Sequence, residues 1–184
     1  MSIALILTAK EADPPRALVR FRPPLKGRPR YVRQMSIEAE LYDWLHKPTT
    51  NLETMNLKEG VLAHLRVFVF GEQVDDCDYM KRVEDRRVEA SQKFSADVWS
   101  LRPRFAEPQH RLFGFFALPD WFVVLNKQTR KRLAEHESRW HTELDKAVRI
   151  WGALVPGYSP QPATVFSEVV KSKWEHCDER WYPT

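Results

Sequence analysis

Four cations stand where three apolar runs of the chain begin or end. Arg102 closes the run from Asp97 to Arg102, and Arg111 opens the run Arg111-Leu112-Phe113-Gly114-Phe115-Phe116-Ala117. Arg130 and Lys131 follow the run Trp121-Phe122-Val123-Val124-Leu125, within Asn126-Lys127-Gln128-Thr129-Arg130-Lys131-Arg132. An arginine fork binds two oxygens of one phosphate and keeps its charge at any physiological pH, so cations gathered in this way suit a polyanion. Arg104, Lys127 and Arg132 add to the same positive segment, and the expected chemistry is recognition of nucleic-acid phosphates.

Three strands must carry these side chains. Val98, Trp99 and Leu101 give the first its β character, Pro103 and Pro108 break the chain after it, and Pro119-Asp120 turns the second run into the third. The result is a three-stranded meander with its cations at one edge, and the segment Asn126 to Arg132 reads as a cationic loop. From Leu133 to Leu154 the composition is helical, with Trp140, Leu144, Ala147, Val148 and Trp151 forming the apolar stripe that docks on the sheet. Ahead of the meander, Ser36 to Leu45 reads as an amphipathic helix capped by Ser36, and Leu57 to Val69 as a second that ends near Gly71. Together they form a helical hairpin over one sheet face. His64, among Val61, Leu65 and Phe68, reads as a semi-buried packing residue.

The order and spacing of these pieces resemble the RelE/HigB-type toxins of bacterial and phage toxin–antitoxin systems, in the RelE/ParE superfamily. Trp99-Ser100-Leu101-Arg102 is similar to their W-E-L-R strand, His110-Arg111-Leu112-Phe113 to their Y-R strand, and Phe122 to Leu125 with Arg130-Lys131 to the third strand and basic pair. Glu143-Leu144-Asp145-Lys146-Ala147 is similar to the closing E-I-x-x-A helix. The resemblance implies an α+β fold, a helical hairpin packed on a small antiparallel β-sheet and followed by a C-terminal helix. It also implies metal-independent cleavage of messenger RNA, in the ribosomal decoding site for many members: the ribose 2′-hydroxyl attacks the adjacent phosphorus and the 5′-oxygen of the next nucleotide leaves. Arg111 would clamp the phosphate, with Arg102, Arg130 and Lys131 around it. A cognate antitoxin, acidic or DNA-binding, would be the protein partner, and no cofactor is implied.

Two departures from that pattern bear on the chemistry. Ser100 stands where the toxins have an acid, and His110 where they have an aromatic. A histidine at position 110 either supplies the acid–base function, since its ordinary pKa lies near neutrality, or is a plain surface residue; His136 and His141 are weaker candidates for the same role. The two also rule out a H-E-x-x-H metal site, because they are five residues apart and do not share a helix face.

The whole chain has 184 residues with 29 Lys and Arg against 25 Asp and Glu, a formal net charge of +4, so the distribution of charge says more than its total. Residues 1–34 read as a basic, Pro-rich arm with a strand at either Ser2 to Ala9 or Ala17 to Phe21; Arg20 and Arg22 within it could track phosphates or lie on a solvated connector. Residues 35–155 make the toxin-like domain. Residues 156–184 read as a helical extension, Thr164 to Trp174, that pads the domain or meets a second copy. Asp75, Asp76 and Asp78 lack the glycine and glutamate of a calcium loop. Cys77 and Cys177 have no partner spacing, no run is long enough to cross a membrane, and a soluble cytoplasmic protein is expected.

Two other functions accommodate the same residues. One is a non-enzymatic inhibitor that binds a host protein such as gyrase, since a fold does not fix an activity. The other is a plain RNA- or DNA-binding protein in which Trp99, Phe113 or Trp121 stacks on bases.

Overall fold

The computed structural model describes residues 2–12, 17–24, 31–71, 79–83, 97–103, 108–163 and 166–171. In chain order these form α1 (Ile3–Ala12), β1 (Leu18–Arg20), β2 (Gln34–Glu38), α2 (Ala39–His46), α3 (Leu52–Val69), β3 (Met80–Arg82), β4 (Trp99–Leu101), β5 (His110–Leu118), β6 (Trp121–Thr129), α4 (Arg130–Glu135), α5 (Glu137–Leu154) and α6 (Phe166–Val169). The strands make one sheet in the order β1-β2-β6-β5-β4-β3. All neighbours are antiparallel except β2 and β6, which run parallel.

This corrects the expected architecture of a helical hairpin on a small antiparallel sheet. The sheet has six strands and is mixed, and a helix and two of its strands come before α2 and α3, which therefore do not form a hairpin leading into it. The difference arises at Ser36 and Ile37. Met35, Ser36 and Ile37 are buried in β2, and the N-cap of α2 is Glu38, whose carboxylate accepts from the Leu41 N–H at 2.9 Å. A strand that runs straight into a helix places apolar residues at spacings that also match the helical period.

Helices cover both faces of the sheet. On one side α2 and α3 pack on Trp99, Leu101, Leu112, Phe116, Phe122 and Val124. On the other, α1, α4 and α5 pack on Phe113, Phe115, Ala117, Val123 and Leu125. Buried on both faces, β5 and the first half of β6 carry nearly unbroken apolar runs instead of an alternation. The stripe on α5 is as read, with Leu144, Ala147 and Trp151 buried. His64 is buried and stacks on Tyr79 with ring centroids 4.9 Å apart.

Smaller differences follow from local competition. Ile3 to Ala12 is helical, and the strand of the basic arm is β1; an apolar stretch this short has no period that separates helix from strand. The cationic loop is absent as such: β6 continues to Thr129, whose hydroxyl caps α4 by accepting from the Arg132 N–H at 3.2 Å. The helix expected from Leu133 to Leu154 is two, separated at His136 by extended backbone. Near the C-terminus, Val169 and Val170 are buried in the α2/α3 core. Lys171 N–H donates to the Asp120 carboxylate at 2.9 Å, and Asp120 N–H to the Val169 carbonyl at 2.8 Å. Residues 166–171 thus pad the domain at the β5–β6 turn. Asp75, Asp76, Asp78, Arg104, Cys77, Cys177 and residues 172–184 lie outside the described residues.

One irregularity of the sheet decides what its basic end can do. The register between β5 and β6 shifts between Phe113, paired with Asn126, and Gly114, paired with Val124, leaving Leu125 as an extra residue on β6. Leu125 and Asn126 consequently face the same side, toward α5, and the alternation beyond them is inverted. Gln128 therefore points to α5 and Lys127 to α2.

Candidate phosphate-binding site

At the end of the sheet where β4 finishes, β5 begins and β6 gives way to α4, three arginines converge. Leu101 pairs with Leu112, so Arg102 lies beside Arg111, and Arg111 pairs with Gln128. Arg130 is tied to the start of β5 by its N–H to the Gln109 carbonyl at 2.7 Å and by its guanidinium to the Gln109 side chain at 2.8 Å. Burial, then the guanidinium groups of Arg102 and Arg130, pull the Arg111 pKa down to about 10. Its own hydrogen bond goes to the His110 carbonyl at 3.2 Å, and no described carboxylate is paired with it. A half-buried arginine facing two like charges is a site short of an anion.

Glu143, which the sequence assigned only to the closing helix, supports this floor from α5. Its carboxylate accepts from Asn126 Nδ2 at 2.8 Å and from Gln128 Nε2 at 2.9 Å, while Asn126 Nδ2 also donates to the Glu143 carbonyl at 3.2 Å. Gln128 is thereby held opposite Arg111. Replacing Glu143 by Ala removes the carboxylate from buried Asn126, which keeps the backbone carbonyl of residue 143, and from half-buried Gln128; we expect a loss of about 1 to 2 kcal/mol in unfolding free energy, read from the urea midpoint. An unchanged midpoint would mean that the pair contributes nothing. The signal available in the sequence was Asn126 and Gln128 flanking Lys127, amides where a purely cationic loop would carry charge.

The opposite face of the same end is built around Trp44 of α2. Lys127 Nζ lies 3.8 Å from its ring centroid, Lys58 Nζ from α3 lies 5.6 Å away, and the His110 ring stacks at 6.1 Å. His110 and Arg111, adjacent on β5, leave the strand on opposite faces. The Nδ1 of His110 is 2.6 Å from the Pro108 carbonyl, which makes it the protonated nitrogen. Burial lowers the His110 pKa, the Pro108 carbonyl opposes this, and Lys127 adds to the lowering. Because the folded value lies below the ordinary 6.5, the unfolded chain takes up its proton first as pH falls. The stability this neutral ring contributes is complete above 6.5 and is lost on acidification. The thermal midpoint is expected to fall between about pH 7.5 and about pH 5.5, and to fall less in His110→Asn. Parallel pH profiles for the two proteins would refute this.

The remaining sequence candidates are dispersed. Lys131 and Arg132 are exposed on α4, beside Arg130. His136 is exposed between α4 and α5, and His141 is half-buried on α5. Arg20 sits at the other end of the sheet, paired with Glu11 at 2.9 Å and over the Trp121 ring at 4.1 Å. Arg22 is exposed and continues from β1 toward the level of Gln34 and Trp121, also away from Arg111. Trp99, Phe113 and Trp121 are buried in the core and offer no stacking platform. Among the described residues no group of three His, Cys, Asp or Glu could hold a metal ion, and no helix is long and apolar enough to cross a membrane. The chain matches no protein-family model, no curated protein and no solved structure.

Proposed function

We propose that this protein captures the phosphate backbone of RNA at Arg102, Arg111 and Arg130 and cleaves it without a metal, in the manner of the RelE/HigB-type toxins it resembles in sequence. The observation that supports this most is Arg111: its half-buried guanidinium has two guanidinium neighbours and no described carboxylate partner. A phosphodiester placed there would accept from the arginine forks and offset their repulsion. As the 2′-hydroxyl attacks phosphorus, negative charge builds on the non-bridging oxygens, and the same forks stabilise it. The 2′-hydroxyl gives up its proton to water as it attacks, the bond to the 5′-oxygen breaks, and that oxygen takes a proton from water, leaving a 2′,3′-cyclic phosphate and a 5′-hydroxyl. Lys131 and Arg132 extend the positive field along α4, and an antitoxin would silence the protein by covering this end with carboxylates.

Capture without cleavage is the second reading, and the position of His110 favours it. The histidine is 4% exposed and stacks on Trp44, on the other face from Arg111, so it does not flank a phosphate held by the arginines. Incubating the protein with single-stranded RNA in excess chelator, and with translating ribosomes, tests both. Fragments ending in cyclic phosphate, lost in Arg111→Ala, are the expected result. RNA that wild type binds but leaves intact, with binding lost in Arg111→Ala, would leave capture alone.

A further inference from the structure

The face of the sheet end that the arginines do not use carries its own unbalanced charge. Two elements bring an ammonium group to it, Lys127 from β6 and Lys58 from α3, and α5 on the other face adds the charge of Lys146, which acts on Lys127. We propose that Lys58 and Lys127, gathered beside Trp44, form together with Lys146 of α5 a second phosphate subsite that takes a neighbouring phosphate of the same single-stranded RNA held by the arginines. The inference rests on the proposed capture of RNA and adds to it a second contact and a preference for single strands.

The bulge at Leu125 and Asn126 turns Lys127 onto Trp44, with its Nζ 3.8 Å from the ring centroid. That π face is its contact, and it makes no hydrogen bond or ion pair to a described residue. Lys58 approaches the same ring at 5.6 Å and donates to the Lys47 carbonyl at 2.6 Å, an interaction that fixes its head group without neutralising it. Lys146 follows Glu143 by three residues and so shares the side of α5 that meets β6. Its charge acts on Lys127 along a stretch of β6 that β2 does not cover, since β2 pairs with β6 only as far as Val124. Burial and then the charges of Lys146 and Lys58 lower the Lys127 pKa, against which Glu143 acts. An indole that orients one ammonium while two others stand near it is an arrangement that a phosphate completes.

The path from the arginines to the lysines turns around the end of one sheet, from the face that carries Arg111 to the face that carries Lys127. Duplex nucleic acid, with a persistence length of about 150 base pairs, does not follow such a bend, whereas a single strand does. The partner is therefore single-stranded RNA that contacts at least one phosphate on each face.

Salt titrations of affinity for a decaribonucleotide and a dinucleotide test this in the full chain. In the variant Lys127→Met with Lys146→Gln, decamer binding should weaken by about tenfold and the salt slope should drop by about 1.4, since each of the two lost single-strand contacts contributes about 0.7. The dinucleotide, with one phosphate for the arginines, should change by no more than about twofold, whereas Arg111→Ala should weaken both oligomers. Equal slopes for the double variant and wild type would overturn the subsite and leave the arginine reading intact. Failure of the wild type to bind either oligomer would overturn both, and duplex bound as tightly as single strand would overturn the preference. Methionine keeps the aliphatic stem over Trp44; if the double variant still loses its native tryptophan fluorescence, exposed Lys146→Gln alone decides, with an expected slope loss of about 0.7.

Discussion

Arg111→Met is expected to weaken RNA binding by about 100-fold while making the protein harder to unfold. Both effects come from the same electrostatics. A charge-assisted, two-pronged contact to phosphate is worth on the order of 2 to 3 kcal/mol when one partner is removed, which is the expected fold-change in affinity. In the free protein the same guanidinium is half-buried beside Arg102 and Arg130, and its pKa of about 10 records a cost of holding it charged. Solvent screens a half-exposed group, so the relief on removal should be about 1 kcal/mol, or a midpoint rise of roughly 2 to 4 °C. The sign of the pH dependence follows. A base whose folded pKa is depressed destabilises the fold fully below that value, and the cost fades as pH rises above about 10. The advantage of Arg111→Met should thus be largest near neutral pH and shrink in alkali. Arg111→Lys, which keeps charge but loses the fork, should bind between the two. A methionine variant that bound RNA as tightly as wild type would remove the arginine site; one that bound weakly but was also less stable would make Arg111 structural.

Gly114→Ala is expected to lower stability by about 4 kcal/mol or more, a loss outside the range of most single substitutions. A Cβ at Gly114 would stand 2.0 Å from the Val123 carbonyl oxygen, 2.9 Å from the Val123 carbonyl carbon and 2.9 Å from the Phe122 ring. Two of these atoms are backbone of the neighbouring strand, so β5 and β6 would have to part at the two most deeply buried strands of the sheet. The register shift begins at this residue, and its loss would also turn Lys127 and Gln128 away from Trp44 and Glu143. RNA binding should fail with it. Gly152, exposed in α5 with nothing within 4 Å of an added Cβ, is the matched control: Gly152→Ala should stabilise the helix by roughly 0.5 to 1 kcal/mol. Denaturant midpoints for the pair decide the matter, and a Gly114→Ala protein within about 1 kcal/mol of wild type would show that the strands accommodate the methyl group.

Where local rules suffice, the amino-acid sequence alone determined the outcome. The meander of β4, β5 and β6 was legible because its apolar runs are bounded by Pro103, Pro108 and Pro119-Asp120, and the α5 stripe because Leu144, Ala147 and Trp151 recur at three and four residues. Since Arg102, Arg111 and Arg130 sit at the ends of consecutive hairpin-linked strands, their proximity could be read from order alone. Tertiary structure decided the rest. The parallel pairing of β2 with β6 joins distant segments through backbone hydrogen bonds that leave no local pattern, and it is what made Ser36 a buried strand residue instead of a helix cap. The bulge opposite Gly114 depends on both strands at once, yet it alone assigns Lys127 to Trp44 and Gln128 to Glu143. A side chain's face in a sheet is set by counting from its partner strand, so a one-residue insertion that the chain pattern does not announce reverses every assignment beyond it.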